Sequence, residues 1–173
     1  MIKSPEVAER EAEPAAVLIR GYQRGDAVAL TRLFFETVHS VNLHDYSEQQ
    51  VRAWAPAVPD PAIWHQRMSE RYTLVAEENG KIAGFAELER DGHLDMFYCR
   101  KDAVRRGVGR ALYRAVELKA AGLGLERIFT EASITARRFF EHCGFAVVCR
   151  QTVVRGGIEL ANFKMEKRLS PFL

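Results

Sequence analysis

Residues 104–110 read Val-Arg-Arg-Gly-Val-Gly-Arg, with glycines at alternate positions 107 and 109, three arginines, and an apolar-periodic segment immediately after. The start of a helix presents amide N–H groups that have no intrahelical partner and carries roughly half a positive charge. Glycines there let the backbone come close enough for successive N–H groups to converge on phosphate oxygens. The chemistry this stretch offers is therefore anion binding, with Val104, Arg105, Arg106, Gly107, Val108, Gly109 and Arg110 as the candidate contacts. Residues 97–114 hold six cations against Asp102, a local net charge of +5, which leaves −3 for the rest of a chain whose formal net charge is +2. Such concentration fits a localised anionic ligand and argues against a nucleic-acid partner. The pattern is not a Walker loop, because Gly-x-x-x-x-Gly-Lys-Ser/Thr is absent. It is a poor dinucleotide fingerprint as well, because Leu112 stands where the third glycine would be.

The elements that must position this loop are legible on both sides of it. Residues 15–22 read as a strand, and Asp26 is placed to cap a helix reaching about Val41, with Leu30, Leu33, Phe34 and Val38 on its apolar face. Ser47 opens a helix through Trp54, and Pro61 begins another containing Trp64 and Met68. Three strands follow, turned at Asn79-Gly80 and Asp91-Gly92. After the loop come a helix over 109–121, a strand over 127–132, a helix over 135–143 and a closing hairpin turned at Gly156-Gly157. Residues 1–14 are expected to be a flexible N-terminal segment ahead of a single domain over 15–173. With 47% hydrophobic residues in 173, the chain can bury a real core. No apolar run approaches the ~20 residues that span a bilayer, and the N-terminus is charged where a leader would be apolar, so a cytoplasmic protein with no membrane partner is expected. Cys99, Cys143 and Cys149 are odd in number and lack metal-ligand spacing, so reduced thiols are expected, and no metal site.

With these elements in place, two segments resemble the GNAT family of N-acetyltransferases, and a bacterial YafP-like branch of it in particular. Arg-Arg-Gly-Val-Gly-Arg-Ala-Leu is similar to the family's coenzyme A pyrophosphate loop. Residues 133–145, Ser-Ile-Thr-Ala-Arg-Arg-Phe-Phe-Glu-His-Cys-Gly-Phe, are similar to its Asn-x-x-Ala-x-x-Phe/Leu-Tyr-Glu-x-x-Gly-Phe segment. The resemblance runs from about residue 15 to 169. It implies an α/β (α+β) fold with a central mixed, mostly antiparallel sheet of six to seven strands, flanked by helices and splayed at the acetyl-coenzyme A site. It also implies direct transfer of acetyl from acetyl-CoA, the co-substrate, to an amine. Two departures bear on mechanism. Val104 stands where the family often has Gln or Arg, although a register beginning at Arg106 also satisfies the motif. Phe140 stands where many members carry the Tyr that protonates the departing thiolate, and Phe cannot donate a proton. Ser133 replaces Asn and keeps a hydroxyl for the pantetheine arm, and the resemblance implies Ser133 and Phe140 as further coenzyme contacts.

A neutral amine attacking a thioester needs orientation, a proton acceptor and stabilisation of the oxyanion and thiolate. Holding the reactants together can contribute ~7–11 kcal/mol, so loss of the Tyr need not abolish turnover. Main-chain contacts to the coenzyme are expected from Phe97, Tyr98 and Cys99. Alternation places Phe85, Glu87 and Glu89 on one strand face and His93, Asp95, Phe97 and Cys99 on one face of the next. Glu87 or Asp95 is the expected base, directly or through water, with Glu131 as a third candidate and Tyr98 and Tyr46 as acids. His39, His44, Tyr46 and Trp54, in the helical region that the resemblance hangs over the acceptor, are the candidate acceptor contacts. The acceptor is expected to be a small amine, a homodimer stays open beside a monomer, and a noncatalytic coenzyme A sensor is the rival reading.

Overall fold

A computed structural model describes residues 16–170; the expected N-terminal segment 1–14 lies outside them. Seven strands and five α-helices follow in the order β1 (Val17–Gly21), α1 (Ala27–Val38), α2 (Glu48–Trp54), α3 (Pro61–Glu70), β2 (Tyr72–Glu78), β3 (Lys81–Leu88), β4 (Leu94–Cys99), α4 (Val108–Gly122), β5 (Arg127–Ser133), α5 (Ile134–His142), β6 (Ala146–Arg155) and β7 (Ile158–Arg168). Asp26 does not cap α1. It already has helical angles at the end of a short 3-10 turn, and its carboxylate instead accepts from the Gln23 N–H at 2.7 Å and pairs with Arg20. Ser47 does cap α2, accepting from the Gln50 N–H while the Gln50 side chain returns to the Ser47 N–H.

The strands form two antiparallel sheets, ordered β1-β2-β3-β4 and β5-β7-β6. A single parallel bridge joins them, between His93 and Phe129, where the Phe129 N–H donates to the Gly92 carbonyl at 3.0 Å. One residue further on, the Thr130 hydroxyl donates to the Leu94 carbonyl at 2.8 Å, a side chain standing in for the next ladder bond. Beyond that point β4 and β5 run in the same direction and separate. The expected mixed, splayed sheet is therefore present, with its parallel character reduced to one bridge.

Two cores flank the sheet. α4 repeats Val108, Leu112, Val116 and Ala120 at four-residue spacing, and this stripe packs on Ala76, Ala83, Ala86 and Ile128. On the other face α1 and α3 bring Leu30, Phe34, Val38, Trp64 and Met68 against Val75 and Phe85. Burying each large side chain stabilises by roughly 1.5–3 kcal/mol, so the splayed strands are held from both faces and not by their own pairing.

Gly92 makes the bridge sterically feasible. Its φ is +94°, and a Cβ there would lie 2.4 Å from the Arg127 carbonyl oxygen. Gly92→Ala is expected to lower unfolding stability by about 1–3 kcal/mol in urea titration. Gly122→Ala, where a Cβ meets open space at the end of α4, is the control and is expected to cost nothing. Equal stability of the two variants would contradict the close-approach account.

Candidate active site

The ladder register determines which backbone groups face the splay. The Arg100 N–H bonds to the Ala83 carbonyl at 2.8 Å, so the pairs in phase with it, Phe85 with Tyr98 and Glu87 with Met96, are the hydrogen-bonded ones. Phe97 and Cys99 then turn their main-chain groups away from β3 into the cleft. The Cys99 carbonyl is taken by the Thr37 hydroxyl at 3.1 Å, which leaves the Cys99 N–H and both Phe97 groups. This corrects one of the three expected contacts: the Tyr98 backbone is committed to β3, and only its side chain is available, edge-on to Phe34 and stacked on Phe85.

At the wide end of the splay the chain passes through residues 104–107 into α4. Gly107 has φ +90° and Arg105 φ +65°, the latter a left-handed conformation that a non-glycine residue adopts at a cost of about 1–3 kcal/mol. The first intrahelical bond is Ala111 N–H to the Gly107 carbonyl at 3.0 Å, so the N–H groups of Val108, Gly109 and Arg110 have no helical partner. Arg106 is held back by Glu78 at 3.2 Å, while Val104, Arg105 and Arg110 are exposed. Gly109 lets Phe139 approach, since a Cβ would lie 3.2 Å from its ring. Phe140, expected among the cofactor contacts, is only 2% exposed and packs in the core between Phe97 and Phe145.

The narrow end of the splay opens into a cavity of about 270 Å³ lined by Tyr46, Trp54, Asp95, Tyr98, Glu131, Ser133 and the β6–β7 hairpin residues Val153, Arg155, Leu160, Ala161 and Asn162. A larger depression, about 460 Å³, lies over β1 and β2 and away from the splay. The His93–Phe129 bridge sets the offset between the parallel strands, which places Asp95 level with Glu131 just past the point of separation. Glu87 is not in this wall. It is fully buried, with Oε2 accepting from Arg67 at 2.9 and 3.0 Å and from Arg71 at 3.1 Å, and Oε1 without a partner. Burial pushes its carboxyl above the usual range, against the pull of both guanidiniums. Glu87 and Asp95 do meet, as alternation predicted, but by a different route. A register shift at Glu87/Leu88 turns Asp95 toward α3, where its Oδ2 accepts from Arg67 at 3.1 Å and from Arg71, whereas Phe97 packs on Phe139 across the sheet. Arg71 also reaches Glu89 at 2.6 Å.

Glu131 carries no arginine. Its Oε2 meets His93 Nε2 at 2.6 Å, and Glu89 lies 3.5 Å from the other ring nitrogen. Arg67, Arg71 and His93 did not figure among the sequence candidates; two arginines four apart, one in the last turn of α3 and one just after it, ahead of a glutamate-bearing strand, were the available signal. The acceptor candidates divide. Tyr46 and Trp54 line the cavity, edge to face at 5.4 Å. The Tyr46 hydroxyl is already engaged, donating to the Ala161 carbonyl at 2.7 Å and accepting from the Ile134 N–H at 2.9 Å. His39 bonds the Ala55 carbonyl at 2.7 Å and stacks on Phe35, and exposed His44 lies outside the wall. Burial raises the phenols of Tyr46 and Tyr98, so each is a hydrogen-bond donor at neutral pH and a poor proton donor. Burial also holds the Cys99 thiol protonated, at about 12.

A splayed sheet with a glycine-bearing helix start at one end and a carboxylate-lined cavity at the other is the architecture of an acyl-coenzyme A transferase. The chain belongs to the GNAT acetyltransferase family, matching its acetyltransferase domain over residues 42–168. It is 34% identical to the N-acetyltransferase YafP of Escherichia coli over 149 residues, 86% of this chain and 94% of that protein. A GCN5-related N-acetyltransferase structure from Rhodopseudomonas palustris superposes with a TM-score of 0.83 at 37% identity, covering 88% of this chain and 95% of that one. The fold is shared at 20% identity with the putative acetyltransferase YncA of Salmonella typhimurium, solved with acetyl-CoA, at a TM-score of 0.71 over 92% and 97% of the two chains.

The His93 ring has a checkable consequence. Burial disfavours its cation, but the Glu131 hydrogen bond and the charges of Glu131, Asp95 and Glu89 outweigh that and raise its pKa. A raised His stabilises the fold below its unfolded pKa, and that contribution disappears as pH rises through the folded value. NMR titration of the imidazole is expected to give a midpoint above ~6.5, and Glu131→Gln is expected to lower it. An unchanged midpoint in the variant would mean Glu131 does not hold the ring.

Proposed function

We propose that this protein transfers acetyl from acetyl-CoA directly to the amine of a small molecule bound in the cavity between β4, β5 and the β6–β7 hairpin. The observation that carries the reading is the continuity of the splay. Unpaired N–H groups at the start of α4 suit the pyrophosphate, the free main-chain groups of Phe97 and Cys99 suit the pantetheine arm and thioester carbonyl, and the carboxylates stand where an amine would meet that carbonyl. The cavity lies just under the ~300–1,000 Å³ typical of sites for drug-sized ligands, which favours a small acceptor.

The residues present fit the coenzyme. Gly107 holds a left-handed turn, Gly109 sits under Phe139, and Ser133 lines the cavity with its hydroxyl proton free while its oxygen caps α5. Acetyl-CoA would supply the activated acyl group. The chain's own work is to orient the amine, polarise the carbonyl through backbone N–H groups and take up the ammonium proton. Cys99, held as a thiol, is a poor nucleophile, which supports direct transfer over an acyl-enzyme.

Of the carboxylates, Glu131 is the proposed base. Glu87 is sealed behind two arginines, and the Oδ2 of Asp95 is occupied by the same pair, leaving Asp95 to attract and hold the ammonium. Thiolate departure has no Tyr at position 140; Tyr98 stands in the wall as a neutral hydrogen-bond donor.

Two measurements test this. Gly107→Val, which puts a β-branched residue at φ +90°, is expected to weaken coenzyme A binding by at least tenfold in calorimetry; unchanged affinity in the folded variant would move the pyrophosphate elsewhere. Glu131→Gln is expected to lower kcat/KM by about a hundredfold near pH 7 and to recover partly toward pH 9, where more of the amine is already neutral. Asp95→Asn is expected to raise KM without that recovery. Reversal of the two profiles would make Asp95 the base.

A further inference from the structure

The acceptor cavity contains a cation as well as carboxylates. Arg155 ends β6 at the tip of the hairpin and forms part of the cavity wall; its side chain is exposed and makes no ion pair or hydrogen bond among the described residues. The other basic side chains around the catalytic carboxylates are committed: Arg67 and Arg71 to Glu87 and Asp95, and His93 to Glu131. Tyr98 lines the same cavity as Asp95 and Arg155, so anionic and cationic groups share one wall. At the anionic end no hydrogen bond among the described residues reaches Asp95 Oδ1 or Glu131 Oε1, and the wall residue Asn162 has a buried Oδ1 without a partner among them. One end of the cavity therefore offers acceptors for the N–H groups of an amine, and the other offers a free guanidinium.

We infer that the acceptor is a zwitterion, a primary amine carrying a carboxylate several bonds away, with Arg155 as the residue that selects the carboxylate. This rests on the acetyltransferase reading of the same cavity.

The register sets the spacing. Arg155 pairs with Ile158, while Glu131, the proposed base, pairs with Lys164 six residues further along β7. Six residues of strand span about 20 Å, of which an extended arginine side chain covers about a third, so the guanidinium reaches to within about 13 Å of the carboxylate end, and a hydrogen bond of about 3 Å at each end leaves about 7 Å for the ligand itself. An α-amino acid is too short to bridge that gap when its α-amine reacts. A chain with about four to six atoms between nitrogen and carboxylate fits, and the Tyr46 and Trp54 rings flank its apolar middle. Arg155 does not touch the reacting atoms. It acts on affinity and on the choice among amines, and a guanidinium meets a carboxylate with two parallel N–H donors.

The test compares 6-aminohexanoate, hexylamine and 1,6-diaminohexane, which share chain length and differ in the far group. Free coenzyme A release is measured for turnover, and calorimetry on the coenzyme A complex for binding. The wild-type protein is expected to prefer 6-aminohexanoate over hexylamine by at least tenfold in kcat/KM, chiefly through KM. Arg155→Gln is expected to erase the preference and Arg155→Glu to transfer it to the diamine, with coenzyme A affinity unchanged in both. Equal use of the three amines by the wild type overturns the proposal, as does a uniform loss of all three in both variants. Arg155-dependent binding of 6-aminohexanoate without turnover upholds the zwitterion site and overturns the acetyl-transfer reading on which it was placed. Turnover of hexylamine at or above the 6-aminohexanoate rate does the reverse.

Discussion

Everything in this site follows from the single bridge between His93 and Phe129. Had β4 and β5 continued to pair, the backbone groups of Phe97 and Cys99 would have been consumed in a ladder, and no cavity would lie beneath the hairpin. An unpaired N–H buried away from water is costly, so the separation persists only because packing maintains it. α4 and α5 brace one side through Phe97, Phe139 and Phe140, and α1 and α3 brace the other through Phe34, Trp64 and Tyr98. The bridge acts as a pivot, with Gly92 as the only residue type that fits it and Thr130 as a latch one residue along.

The arginine pair of α3 is the second constraint. Glu87 on β3, Glu89 just after it and Asp95 on β4 would repel one another strongly in partly buried surroundings, and Arg67 and Arg71 offset that charge while tying the end of α3 to the sheet. This sorts the acidic groups by role. Glu87 becomes structural, Asp95 keeps one free oxygen over the cavity, and Glu131, whose partner is an imidazole, alone retains a carboxylate free of guanidinium. The same residue type thus serves three purposes because of its partners.

Much of the architecture was legible. The turns at Asn79-Gly80, Asp91-Gly92 and Gly156-Gly157, the α4 stripe and the Ser47 cap all express local rules, and the structure follows them. What escaped was non-local. The register shift at Glu87/Leu88 breaks strict alternation, so Asp95 leaves the face it was assigned with Phe97. The commitments of the Tyr46 hydroxyl to residues 134 and 161, and of His39 to Ala55, depend on contacts that no sequence spacing announces. Phe140 was read as a departure from the family's acid, and the structure gives that ring a packing role at the centre of an aromatic cluster.

The two halves of the reaction are assigned to different stretches of chain. In the proposed reaction the coenzyme is held by β4, the 104–110 loop and the start of α4, whereas Val153, Arg155, Leu160, Ala161 and Asn162 of the terminal hairpin, which line the cavity, would form the outer acceptor wall. β6 is an edge strand, bound to the rest of the sheet only through β7, and its side chains are mostly exposed. Changes there disturb little of either core. In evolutionary terms the hairpin is free to drift: a lineage can exchange the far end of its acceptor by altering a few positions on an edge strand while inheriting the thioester chemistry intact.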